Sequence, residues 1–184
     1  GVPARRGKLS DPVGIAFDPA GNLYIADRYA YRIWKLSAAT KTISTFAGNG
    51  KEGDSGDGGP ATAAALAGPE GVVFDSSNNA YIADFGYTGN PRIRKVTPDG
   101  MISAFAGGGD DQPPLGDGGP ASQAGVGPGH LAIDRARGKL YIADNINSRL
   151  RVIDLATSTI NTVAGSGSNG SYLDADFSGD NGPA

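Results

Sequence analysis

One short motif constrains this chain more than anything else in it. Tyr24-Ile25-Ala26-Asp27 returns as Tyr81-Ile82-Ala83-Asp84 and again as Tyr141-Ile142-Ala143-Asp144, 57 and then 60 residues further on. Other markers keep step with it. Pro12, Pro69 and Pro128 open the units, and Phe46-Ala47-Gly48, Phe105-Ala106-Gly107 and Val163-Ala164-Gly165 close their ordered parts. Gly56-Asp57-Gly58-Gly59-Pro60-Ala61 recurs unchanged at 116–121, and as Gly179-Asp180-Asn181-Gly182-Pro183-Ala184. Markers in constant order at a near-constant period mean three copies of one supersecondary unit, each needing a neighbour to bury its apolar face.

Each unit reads as four short strands. Val13 to Phe17, matched by Gly71 to Phe74 and Leu131 to Ile133, is the first. The Tyr-Ile-Ala-Asp segment is the second. Arg32 to Leu36, with Arg92 to Val96 and Arg149 to Ile153, is the third. Thr42 to Phe46, with Met101 to Phe105 and Thr159 to Val163, is the fourth. The first, third and fourth alternate with period two, as half-buried antiparallel strands do. Pro19-Ala20-Gly21-Asn22 and Ser76-Ser77-Asn78-Asn79 supply tight turns, since Gly and Asn tolerate positive φ. Four-stranded units stacked radially make a β-propeller. The 20 residues between Gly48 and Pro69, and those between Gly107 and Pro128, read as ordered loops. Ala61 to Leu66 is expected to form one helical turn, alanine being the best helix former. The units run 1–61, 62–121 and 122–184, each a blade with its long loop.

Composition removes several functions. With no cysteine the chain has no disulfide framework, thiolate nucleophile or thiolate metal site. Its single histidine, His130, excludes a site built from several imidazoles of one chain. Sixteen basic residues are scattered among nineteen acids, for a net charge of −3, so no basic footprint argues for nucleic acid. No apolar run is long enough to span a membrane. Because the first residue is Gly1 rather than Met, a processed or partial product is expected.

The pattern Pro-x-Gly-Ile-Ala-x-Asp, then Gly-Asn-Leu-Tyr-Ile-Ala-Asp, then Arg-Ile-x-Lys, then Phe-Ala-Gly resembles the NHL repeat, and the resemblance covers essentially the whole chain. The long Gly-Asp-Gly-Gly-Pro-Ala loop is similar to that of an extended subtype, of about 58–60 residues per repeat, in extracellular proteins. The resemblance implies an all-β propeller, most often of six blades. Three blades are too few to close a ring, so the fold expected is a partial ring completed by further chain or by another copy. The ends agree with this: the closing Gly-Asp-Asn-Gly-Pro-Ala is followed, in the other copies, by a segment leading to Pro-x-Gly, which Gly1 to Asp11 of the next copy can supply.

Asp27, Asp84 and Asp144 end the second strand and Arg32, Arg92 and Arg149 begin the third, so an Asp–Arg pair or an Asp-to-backbone cap is expected in every blade. A feature present in each blade maintains the blade, whereas a catalytic residue is needed once. Asp18, Asp75 and Asp134 read as turn formers accepting backbone N–H bonds. Residues that do not repeat carry the functional information. His130 stands where the other units have Gly14 and Gly71, and is read as lining the channel. Trp34 alternates with Arg94 and Arg151 and is placed on an outer face, as a contact residue together with Tyr87 and Tyr172. Tyr29 and Tyr31 belong to the same loop-borne aromatics, which suit protein partners or sugars. Asp174, Asp176 and Ser178 match the first half of a calcium loop, Gly179 following as the sharp turn; without calcium they are Asp-Gly turns on a solvated surface. Asn169-Gly170-Ser171 is a glycosylation sequon.

No convergent catalytic set emerges. The reading is a non-enzymatic, self-associating interaction module of an extracellular or cell-surface assembly, with no cofactor besides possible calcium. Its partners are other copies, the remaining repeats of a longer chain, other proteins, or glycans. A metal-dependent propeller lyase or hydrolase, or a glycan-binding propeller, is the alternative.

Overall fold

The computed structural model describes residues 1–86, 90–109 and 115–166. Its strands form three antiparallel sheets. The first blade runs β2 (Pro12–Phe17), β3 (Leu23–Asp27), β4 (Arg32–Leu36) and β5 (Thr42–Ala47). The two-residue β1 (Val2–Pro3) adds a fifth strand on the outer edge, beside β5. The second blade comprises β6 (Pro69–Phe74), β7 (Ala80–Asp84), β8 (Arg92–Val96) and β9 (Ile102–Gly107). The third comprises β10 (Pro128–Asp134), β11 (Lys139–Asp144), β12 (Arg149–Asp154) and β13 (Thr159–Ala164). Each is a meander of hydrogen-bonded sequence neighbours, with the first strand innermost.

The registers repeat from blade to blade. Asp27 sits opposite Arg32, Asp84 opposite Arg92 and Asp144 opposite Arg149. A bulge follows the opening proline of each inner strand, and another lies between the third and fourth strands. The turn aspartates act as expected. Asp18 accepts the Asn22 backbone N–H at 2.9 Å and the Asn22 side-chain amide at 2.7 Å, and Tyr24 Oη donates to it at 3.1 Å. Burial works against its ionisation, but these hydrogen bonds outweigh burial and hold its carboxyl below the usual range. Asp75 repeats the arrangement with Asn79 and Tyr81. In the third blade the turn lacks Asn, and Asp134 is bound by the backbone and guanidinium of Arg137 instead.

The core lies between blades rather than within them. One cluster joins Tyr24, Ala26, Ile33 and Ala47 of the first blade to Val72, Phe74, Ala80, Ile82, Val96 and Ile102 of the second. The other joins Tyr81, Ile93 and Ala106 of the second blade to Leu140, Ile142, Ile153 and Ile160 of the third. Every blade therefore has a leading face, turned to the blade before it, and a trailing face, turned to the blade after it. Period-two strands put alternate residues on opposite faces, so both faces are apolar and each needs a neighbouring blade. The ring is not closed.

Candidate functional site: the blade junctions

The long loops fasten the blades together. Each begins on the fourth strand of one blade and lies on the outer edge of the next. Gly58 N–H donates to the Ile102 carbonyl at 2.8 Å, Ile102 N–H to Gly59 at 2.9 Å and Ala61 N–H to Gly100 at 2.8 Å. Gly118, Gly119 and Ala121 bond Ile160 and Ser158 in the same way. The loop then makes a 3₁₀ turn, Ala61–Ala63 or Ala121–Gln123, the first of them shorter than the helical turn expected over Ala61 to Leu66. The proline before the turn is extended, and the helix stops after three residues because the chain must run on to the inner strand. Ala61, Ala64 and Leu66, and then Ala121, Ala124 and Val126, plug into the junction cores.

Gly1 to Leu9 form the same strap for the first blade. Val2 and Pro3 pair with Ile43 and Thr42, Ala4 N–H donates to the Lys41 carbonyl at 3.1 Å, and Ala4–Arg6 make the 3₁₀ turn. This corrects the expectation that Gly1 to Asp11 complete a different copy: Gly1 to Ala4 occupy on their own blade the place that Gly58 to Ala61 occupy on the second.

The Asp–Arg chemistry is arranged differently from the pairs suggested by adjacency. The strand-ending aspartates cap the backbone entering their own inner strand. Asp27 accepts N–H groups of Ser10 and Asp11, Asp84 those of Ala67 and Gly68 at 2.8 and 3.0 Å, and Asp144 that of Gly127 at 2.8 Å. Arg32, Arg92 and Arg149 point to the loops instead: Arg32 to the Asn49 carbonyl, Arg149 to the Ser166 carbonyl, and Arg92 to Asp54 and Asp57. The guanidiniums inside the junctions belong to Arg94 and Arg151, both 0% exposed. The position that Trp34 shares with them in the repeat therefore faces a blade junction in the second and third blades, where an outer face was expected for Trp34. Arg94 meets Asp57 of the strap at 2.7 Å, with Asp84 at 3.9 Å and the carbonyls of Ala65 and Ser55. Arg151 meets Asp117 at 2.7 Å and Asp144 at 3.3 Å.

Trp34 takes this position in the first blade. It is half-buried, and its Nε1–H donates to Asp27 Oδ2 at 2.9 Å. The three aspartates thus differ. Asn147 donates to both oxygens of Asp144, while Oδ2 of Asp84 receives no hydrogen bond among the described residues. Burial pushes the Asp84 carboxyl up to about 6, against the opposing pull of Ala67 and Gly68 N–H and of Arg94.

His130 is exposed on β10, opposite Ala143. A Cβ at Gly14 would meet the Glu70 carbonyl at 2.5 Å, whereas one at Gly71 would meet nothing within 4 Å. Glycine is therefore required where the inner strands of the first two blades touch. Tyr29 and Tyr31 line a cleft of about 210 Å³ with Arg28, Glu52, Ala67 and Gly68. Arg28 crosses the same junction to Glu70 at 2.8 Å. The calcium residues Asp174, Asp176 and Ser178, the sequon Asn169, and Tyr87 and Tyr172 lie outside the described residues. Among the described residues no three His, Asp or Glu side chains gather as a metal set, and no helix is long and apolar enough to cross a membrane.

Sequence reasoning missed Arg135. Its Nε donates to the Phe74 carbonyl at 2.8 Å and its Nη2 to the Phe17 carbonyl at 3.3 Å, tying the inner strands of the first two blades to the third. Nothing in the repeat pattern signals this, because Pro19 and Ser76 hold the matching positions.

Leu9, Ile15 and Phe17, on the leading face of the first blade, are 42%, 70% and 60% exposed. Their counterparts Leu66, Val72 and Phe74 are 0%, 3% and 1% exposed. Blades, straps and junctions of this kind define an incomplete β-propeller. The family model for the NHL repeat matches residues 9–36, within the first blade. Among relatives, teneurin-3 of Danio rerio is 36% identical over 109 residues, covering 52% of this chain and 4% of its own length. NHL repeat-containing protein 2 of Homo sapiens is 26% identical over 204 residues, covering 96% of this chain and 28% of its own length. The chain thus spans a minor part of the curated relatives it matches. Among solved structures, a Bacteroides thetaiotaomicron protein of unknown function is 23% identical with a TM-score of 0.60, over 83% of this chain and 35% of that one. A nidogen/laminin complex is 18% identical with a TM-score of 0.57, over 83% and 48%. Virginiamycin B lyase of Staphylococcus aureus is 13% identical with a TM-score of 0.56, over 87% and 43%. These likenesses are of fold.

Proposed function

We propose that the chain is a non-enzymatic protein-interaction module that associates with other copies of itself through its open blade faces. The repeat propeller fold supports an interaction module. The observation that carries self-association is the exposure of Ile15 and Phe17 where the second and third blades bury the matching residues. Burying one such side chain contributes about 1.5–3 kcal/mol, so an uncovered sheet of them favours a partner strongly. We place the assembly outside the cell or at its surface, on the strength of the long-loop resemblance and the match to teneurin-3.

Sedimentation equilibrium tests the association. The mean mass is expected to rise with concentration above that of one chain, and Phe17→Asp to return it to one chain without loss of β-sheet signal. A wild-type mass that stays at one chain up to high micromolar concentration would defeat the proposal. Localisation of the full-length product by surface labelling tests the placement separately.

A further inference from the structure

The third blade has an open face too, on its trailing side. Leu150 is 40% exposed, where Ile33 and Ile93, in the matching places of the first and second blades, are 0%. Val163 is also 40% exposed, where Phe46 and Phe105 are half-buried in the junctions. Tyr141 is half-buried, where Tyr24 and Tyr81 are buried. The two open faces are therefore of opposite kinds, one leading and one trailing. They are the two halves of a junction that this molecule already builds twice.

Resting on the self-association reading above, we infer that the partner of the first blade's leading face is the trailing face of the third blade of a second copy, docked in the register of the internal junctions. Those junctions say which residues meet. Between the first and second blades the rings of Tyr24 and Phe74 lie 4.4 Å apart, edge-tilted at 51°, and Phe46 stands 6.2 Å from Phe74. Tyr141 matches Tyr24, Val163 matches Phe46, and Phe17 matches Phe74. Phe17 of one copy thus packs against Tyr141 and Val163 of the other. Aromatic contacts of this geometry add to simple area burial.

The inter-copy junction differs from the internal ones in two respects. Its outer edge is already occupied, because Val2 and Pro3 pair with β5. Its interior carries Trp34 bonded to Asp27 in place of an arginine awaiting the aspartate of an incoming strap. It is accordingly an apolar contact without a strap-borne ion pair, and its affinity changes little with salt. A leading-to-trailing contact is heterologous: it propagates in one direction until the ring closes, rather than pairing like with like.

The absence of cysteine allows a clean test. Phe17→Cys and Val163→Cys are made as separate variants, mixed, and treated with a short bismaleimide. The expected product is a covalent dimer containing one of each variant, identified by mass, with neither variant forming a dimer alone. A Phe17→Cys sample that links to itself would overturn the inference in favour of a like-with-like contact. Absence of any link in samples that sediment above one chain would overturn the register while leaving self-association standing. A mass of one chain throughout would overturn both. As a second measurement, Tyr141→Asp is expected to raise the dissociation constant at least about tenfold, as Phe17→Asp does, with wild-type affinity unchanged within about twofold between low and moderate salt.

Discussion

Asp57 Oδ1 stands 2.7 Å from Nη2 of Arg94, although 37 residues separate them and they belong to different repeats. The aspartate arrives on the strap from the first blade and the arginine rises from the third strand of the second. Asp117 and Arg151 repeat the relationship at the next junction. The straps therefore do more than span a gap: each delivers a carboxylate to a guanidinium that no water reaches.

Removing the two partners is predicted to have unequal cost. Asp57 is partly exposed, and without it Arg94 keeps the Ala65 and Ser55 carbonyls. Asp57→Ala should lower stability by about 1–2 kcal/mol. Arg94→Ala opens a cavity and leaves buried Asp84 without its nearby cation, and should cost about 3–5 kcal/mol. Urea unfolding of both variants checks the ranking; equal losses would contradict it.

The raised Asp84 carboxyl gives stability a pH dependence. Its folded value of about 6 lies above the ordinary 3.8, so between those values the folded chain holds a proton that the unfolded chain releases. The contribution of this group therefore falls as pH rises through the window, by about 3 kcal/mol in all. Other carboxylates, such as Asp18, work in the opposite sense. The clean readout is the difference between wild type and Asp84→Asn: wild type should gain on the variant as pH falls from 7 to 4. A constant difference would show that the group stays ionised.

Trp34 is the only tryptophan, and it lies on the open leading face beside Asp27. Its emission is predicted to shift to the blue as concentration rises and a second copy covers that face. Phe17→Asp should move the shift to concentrations at least about tenfold higher. A spectrum independent of concentration in samples that do self-associate would mean that some other surface is used.

Two glycines with similar backbones should respond differently to substitution. Gly48 has φ +91°, and a Cβ there would meet the Tyr31 carbonyl at 2.1 Å and the Arg32 Cα at 2.9 Å. Gly100 has φ +87° with nothing within 4 Å. Gly100→Ala carries only the left-handed penalty of about 1 kcal/mol. Gly48→Ala adds a backbone collision and should cost about 3 kcal/mol or more. Thermal melts of the pair would expose an error if the two shifts were alike.

Much of the architecture was readable because side-chain patterns report it. Alternation along Arg32 to Leu36 and the recurrent Tyr-Ile-Ala-Asp located strands, and Asp18 and Asp75 located turns. The route of the straps was not readable. Gly58 and Gly59 fasten to Ile102 through backbone groups alone, and such bonds leave no trace in residue type. The burial of Arg94 and Arg151 was hidden for a related reason. An arginine alternating with apolar residues looks like a solvated position until its carboxylate, one repeat upstream, is brought to it. Trp34 holds the same repeat position, and its burial was hidden likewise, because its indole N–H finds Asp27 seven residues away on the neighbouring strand.

The straps have a mechanical consequence. A load pulling the chain apart end to end cannot peel off one blade quietly. To free the second blade it must break the Gly58 and Gly59 pairing on β9, draw Leu66 from an apolar junction and part Asp57 from Arg94, all held by the same 20-residue stretch. Force applied at one end is thus shared between consecutive blades, and they should yield as coupled pairs rather than one at a time.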